Sequence, residues 1–167
     1  MNKQHVLYFT IVLIAILIIA PGIAGAAPKV NAIHGVYHNV NANQAAKILE
    51  NKGVFLLDVR TPAEYKYSHI AGAKLIPFKN VPSFDSVNLP DSKLLPKRMN
   101  ELPKNKNTII LVYCYSGHRS EPASQMIADA GYKNVYNLKN GLPTWVTAGY
   151  PVVMNLATWS AHYPPNK

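Results

Sequence analysis

The sequence predicts an α/β fold, a wound parallel sheet with helices on both faces. Three observations carry that prediction. Short apolar runs alternate along the chain with helix-like stretches that open on capping residues. Two of those runs, residues 54–58 and 108–113, are almost continuously apolar, as strands covered on both faces are. The chain has 167 residues and is 49% hydrophobic, enough for one domain with a real core plus a targeting segment.

Taken in order, residues 35–40 read as an opening strand. Asn41 then caps a helix over 42–52, with Gln44 reaching back in a capping box and Gly53 closing it. Residues 54–58 form the next strand. Thr61-Pro62-Ala63-Glu64 starts a second helix with a capping threonine, proline at the first position and glutamate at the third. Residues 74–77 read as a further strand. Residues 79–91, with Pro82 and Pro90, read as a loop bordering the active site, and a helix follows over about 92–101. Residues 108–113 are the central strand, 120–130 a helix ended by Gly131, 134–138 the last parallel strand and 141–148 a last short helix. Trp145 reads as a packing aromatic. No internal repeat or low-complexity segment is seen.

The N-terminal segment is different material. Lys3 precedes an almost unbroken apolar stretch over 6–20, Pro21-Gly22 interrupts it, and Ala24-Gly25-Ala26 has the small-x-small pattern of a secretory cleavage site. The stretch is short for a spanning helix, which needs about twenty apolar residues. Residues 1–26 are therefore expected to be a signal peptide, with an uncleaved membrane anchor as the alternative. Either places the domain, residues 34–153, outside the cytoplasm, periplasmic or secreted. Only the anchor would give it a membrane association. The tail over 154–167 receives no role from its residues.

Seventeen Lys and Arg against eight Asp and Glu give a net charge of +9. Such a surface suits nucleic acid, an anionic membrane or small anions. With no arginine-rich run, zinc spacing or helix-turn-helix pattern, nucleic acid is not expected, and attraction of a small anionic substrate is the more economical use. The six histidines and single cysteine show no metal-ligand spacing, so neither a metal nor a cofactor is expected. One cysteine can form no internal disulfide and has no second thiol to resolve an oxidised intermediate, which speaks against dithiol exchange.

That cysteine, Cys114, follows the apolar run 108–113 and opens Cys114-Tyr115-Ser116-Gly117-His118-Arg119-Ser120, ahead of a helix. A thiol at the end of a buried strand, in a glycine-containing turn feeding a helix, lies within a ring of backbone N–H groups. Those donors, with His118 and Arg119, favour a thiolate and hence a nucleophile over an inert core thiol. Three separated motifs then resemble the single-domain rhodaneses, the thiosulfate-type sulfurtransferase family. The first is Leu57-Asp58-Val59-Arg60-Thr61-Pro62-Ala63-Glu64-Tyr65 with His69-Ile70-Ala71-Gly72-Ala73. The second is the cysteine loop. The third is Leu138-Lys139-Asn140-Gly141-Leu142-Pro143-Thr144-Trp145 with Ala148-Gly149-Tyr150-Pro151-Val152.

The resemblance implies transfer of sulfane sulfur from thiosulfate or polysulfide to a thiol or cyanide acceptor through a persulfide on Cys114. Loop N–H groups from Tyr115, Ser116, Gly117, His118, Arg119 and Ser120 would hold the anion as an oxyanion hole does. Arg119 points inward to the anion or outward to brace the loop. Asp58 supports the site, Arg60 pairs with Glu64 or faces substrate, and His69 fixes its turn by hydrogen bonding. Four residues separate Cys114 from Arg119, a loop one residue shorter than those of the related cell-cycle phosphatases and arsenate reductases, which suits a sulfur atom better than a phosphate-like group. Tyr115 and Ser116 are neutral where thiosulfate rhodaneses carry basic residues. The alternatives are a non-enzymatic binding module, or a persulfide carrier serving an exported redox partner.

Overall fold

The computed structural model describes residues 34–81 and 88–155. The N-terminal segment, the middle of the 79–91 loop and nearly all of the tail lie outside the described residues.

Five parallel strands form the main sheet: β1 (Tyr37–Val40), β2 (Phe55–Asp58), β4 (Lys74–Leu75), β5 (Ile109–Tyr113) and β6 (Asn134–Leu138), in the order β1-β6-β5-β2-β4. Their side chains alternate between two apolar layers, as strand geometry requires. Leu57, Val59, Ile110, Val112 and Val135 face one layer with Ala123, Ile127 and Ala128 of α3 (Ser120–Asp129). Leu56, Leu111, Tyr113 and Leu138 face the other, with Ala45 of α1 (Ala42–Leu49) and Leu142 and Trp145 of α4 (Gly141–Thr147). The wound sheet with helices on both faces is thus what the alternation of apolar runs predicted.

Both sequence-read capping boxes form. Asn41 and Gln44 exchange two bonds of 2.9 Å at the start of α1. Thr61 and Glu64 exchange bonds of 3.3 and 2.9 Å at the start of α2 (Pro62–Tyr67), where Pro62 occupies the first turn. Helix α1 ends at Leu49, short of residue 52, and β4 stops at Leu75 rather than running to Pro77.

Two departures are larger. The helix expected over 92–101 is instead three single 3-10 turns, Asp91–Lys93, Leu95–Lys97 and Met99–Glu101. Leu94 between the first two is extended, with φ −96 and ψ 153, and Pro96 in the second turn supplies no donor to a longer ladder. The second departure is a two-stranded antiparallel ribbon, β3 (Ser68–His69) with β7 (Val153–Met154), which two-residue strands leave without a periodic signal.

Because every strand of the main sheet runs the same way, the turns after β2, β5 and β6 emerge side by side at its carboxyl edge. Register makes the neighbours specific: Asp58 stands beside Tyr113, and Val112 beside Asn137. Open α/β sheets place ligands at this edge.

Candidate active site

Cys114 is the first residue past the central strand, and its thiol is fully buried. The Gly117 N–H donates to Cys114 Sγ at 3.0 Å. That contact requires the loop to fold back within three residues, which Gly117 permits by adopting φ +97. The loop then runs straight into α3. Gly117 O accepts from Glu121 N at 2.9 Å and from Ser120 Oγ at 3.3 Å. The result is a tight main-chain cradle in which the Gly117 amide points at the buried sulfur atom.

The loop residues divide into two sets. Gly117, Arg119 and Ser120 are buried with Cys114, whereas Tyr115, Ser116 and His118 are exposed at the rim. Arg119 turns inward, but to protein: its two terminal nitrogens donate to Glu64 Oε2 at 2.5 Å and Oε1 at 2.7 Å. The pair straps the cysteine loop to α2. Glu64 also accepts from the Thr61 N–H at 2.9 Å, so one carboxylate closes a helix cap and anchors the loop together. Burial opposes the Glu64 charge, but Arg119 and the Thr61 N–H override it and hold the carboxyl below its ordinary range. Burial likewise opposes the Arg119 charge, and Glu64 more than restores it, with a smaller favourable contribution from Cys114 as a thiolate.

The expectation that Arg60 pairs with Glu64 or faces substrate is corrected by the structure. Arg60 Nε lies 3.0 Å from both Asp58 oxygens, and Nη2 lies 2.7 Å from Oδ2 and 2.5 Å from the carbonyl of Ser68. Asp58 also accepts from the Arg60 N–H at 2.9 Å, so a two-residue spacing lets one carboxylate hold both main chain and side chain. Burial acts against the guanidinium, yet Asp58 raises its pKa. Arg60 lies 5.6 Å over the Tyr113 ring, whose hydroxyl accepts from the Ile70 N–H at 3.1 Å. Burial, then the Asp58 charge, pushes the Tyr113 hydroxyl far up and keeps it neutral. His69 fixes its turn, stacked on Tyr65 at 3.8 Å with Nδ1 2.9 Å from the Tyr65 carbonyl.

One contributor goes unnoticed in the sequence. The turn between β6 and α4 presses on the cysteine loop: the Leu142 N–H donates to the Cys114 carbonyl at 2.9 Å. Asn140 and Gly141 both have positive φ, +61 and +67, and a Cβ on Gly141 would stand 2.2 Å from the Tyr115 carbonyl oxygen. The signal was the Asn-Gly pair after a strand, which marks a left-handed turn but not what the turn touches. Among the described residues no group of three or more His, Cys, Asp or Glu is placed to hold a metal ion.

Known proteins resemble the chain over the region that holds this site. Residues 41–148 match the rhodanese-like domain family. The chain is 34% identical over 107 residues to a sulfurtransferase of Allochromatium vinosum, covering 64% of this chain and 85% of that protein. It is 28% identical to the thiosulfate sulfurtransferase GlpE of Actinobacillus pleuropneumoniae, covering 70% of this chain and 93% of the relative. The solution structure of the rhodanese-like domain of the Alr3790 protein of Anabaena superimposes with a TM-score of 0.58 at 24% identity, over 77% of this chain and 86% of that one. With a family match spanning most of the sheet and the whole cysteine loop, the chain belongs to the rhodanese-like domain family.

Proposed function

We propose that the protein is a sulfurtransferase that carries sulfane sulfur on Cys114. The observation that carries this reading is the Gly117 N–H aimed at Cys114 Sγ from 3.0 Å, in a loop that the Arg119–Glu64 pair and the Leu142 N–H hold in place. In the first half-reaction the Cys114 thiolate attacks the outer sulfur of thiosulfate, the S–S bond breaks and sulfite leaves with the electron pair. In the second, cyanide or a thiolate attacks the outer sulfur of the persulfide and restores the Cys114 thiolate. Splitting the exchange this way needs a site that stabilises an anion one atom beyond the thiol, which preorganised amides do without reorganising.

In this scheme Tyr115, Ser116 and His118 meet the donor at the rim, and Gly117 and Ser120 shape the cradle. Arg119 and Glu64 position the loop, while Asp58, Arg60 and His69 support the neighbouring turn. The apolar stretch over 6–20 and Ala24-Gly25-Ala26 support a place of action outside the cytoplasm.

The test is intact mass after incubation with thiosulfate or polysulfide, with Cys114→Ser alongside. A gain of one sulfur, confined to the wild type and discharged by cyanide, is expected. Absence of the adduct from folded, reduced protein with either donor would leave a binding module as the better reading.

A further inference from the structure

The charges around the cysteine loop discriminate between donors. Thiosulfate is a dianion whose sulfonate oxygens need cationic or N–H partners once water is removed. Both buried guanidinium groups near the loop are already committed, Arg119 to both oxygens of Glu64 and Arg60 to both oxygens of Asp58. The side chains exposed at the rim are Tyr115, Ser116 and His118, none of them lysine or arginine. A carboxylate lies close instead: Glu121 Oε1 is 3.9 Å from where a Cβ on Gly117 would stand. Lys79 and Lys139 follow β4 and β6 on the same edge and are exposed. Their charge acts through solvent and is screened there, so it does not replace a cation in contact with a sulfonate at the thiol.

We infer that the site takes a hydropersulfide or hydropolysulfide, neutral or singly charged, in preference to the thiosulfate dianion. This rests on the sulfur-transfer reading above and names its donor class. With R–S–SH the Cys114 thiolate attacks the outer sulfur and the S–S bond breaks. R–S⁻ then departs with the electron pair, and the proton stays on the new Cys114 persulfide. Total charge is unchanged, and at no point does a second anionic group need a cation in the cradle. Tyr115, 55% exposed at the rim, offers the R group an aromatic face that a sulfonate would not use.

The test measures the second-order rate of Cys114 persulfide formation, by intact mass, with thiosulfate and with 2-hydroxyethyl persulfide. Each rate is divided by that donor's rate with free cysteine, which removes intrinsic reactivity. The normalised rate is expected to favour the persulfide by about tenfold or more, the worth of one missing charged hydrogen bond. Ser116→Arg and Tyr115→Arg are each expected to move the ratio toward thiosulfate. A normalised thiosulfate rate equal to or above that of the persulfide overturns the inference and leaves sulfur transfer standing. So does a ratio unmoved by both arginine variants. Failure of both donors to load the folded wild type removes the sulfur-transfer reading itself, a distinct result.

Discussion

Two strand-to-helix turns emerge next to each other at the carboxyl edge of the sheet, and they satisfy their polar groups in opposite ways. After β2, Asp58 and Arg60 saturate one another and the neighbouring main chain, and Pro62 with the Thr61–Glu64 capping box closes the following helix. After β5, the corresponding positions are a thiol, a tyrosine, a serine and a glycine, and the one side-chain anchor, Arg119, is tied to Glu64 on the first turn's helix. The first turn spends side chains to be finished. The second turns one main-chain donor, the Gly117 N–H, on a sulfur, and borrows its rigidity from its neighbour. The proposed sulfur transfer needs a donor held still beside the sulfur, and the pairing of the turns is what holds the Gly117 N–H there.

The most damaging way to break the second turn is to remove its sulfur. Cys114→Ser is expected to abolish persulfide formation and turnover, while the circular dichroism spectrum stays that of the wild type. Next in size is a change at a residue outside both turns. Gly141→Ala places a methyl group 2.2 Å from the Tyr115 carbonyl and 2.5 Å from the Cys114 carbonyl, at a φ of +67 that alanine disfavours. The loop must shift by a large fraction of an ångström, and turnover is expected to fall by about 10²-fold. Gly53→Ala, also at positive φ (+80) but with open space around it, serves as the control. It is expected to lose only about 1 kcal/mol of stability and to keep wild-type turnover.

The two buried ion pairs separate scaffold from site more finely. Asp58 and Arg60 side chains are 0% and 2% exposed, and Glu64 and Arg119 are 6% and 10%. Breaking either pair strands a buried charge, so Asp58→Asn and Glu64→Gln are each expected to lose about 2–4 kcal/mol in urea unfolding. Their activities should diverge. Glu64→Gln frees the loop and is expected to cost about tenfold in turnover per folded molecule through lost positioning, whereas Asp58→Asn keeps most of it. Acid sharpens the contrast. The Glu64 carboxyl titrates below its ordinary 4.5 in the fold, so the unfolded chain takes up its proton first. The stability it supplies is whole above that value and is lost as pH falls through the lower folded one. Glu64→Gln should flatten this acid limb of the stability profile.

Much of the scaffold could be read before any coordinates. The two capping boxes lie within four consecutive residues each, so local chemistry declares them. The buried strands declare themselves by unbroken apolar runs, and Cys114 by being a lone thiol in a polar turn. Partner choice was not legible. Arg60 stands four residues from Glu64 and two from Asp58, and only the chain's turn at Val59 decides between them. The Leu142 N–H on the Cys114 carbonyl joins residues 28 apart that follow neighbouring strands, a contact that comes from strand order rather than from any local pattern. The run over 92–101 misled because its charged and apolar spacing suits a helix, while Pro96 in its middle divides it into single turns.

The smallest expected effect belongs to a third pair, on the surface. Glu101 has close cationic contacts, Arg98 Nε at 2.6 Å and Lys74 Nζ at 3.2 Å, and hydrogen bonding from Arg98 is the main reason its pKa is lowered to about 2. Solvent reaches all three side chains, with Lys74 half exposed, and water and salt screen what geometry alone would suggest is a strong interaction. Glu101→Gln is therefore expected to leave the thermal midpoint within about 2 °C of the wild type at 0.15 M salt and turnover unchanged. A loss as large as that of Glu64→Gln would mean that these charges are desolvated in solution, and that the 3-10 segment they fasten to β4 is as much a part of the scaffold as α2.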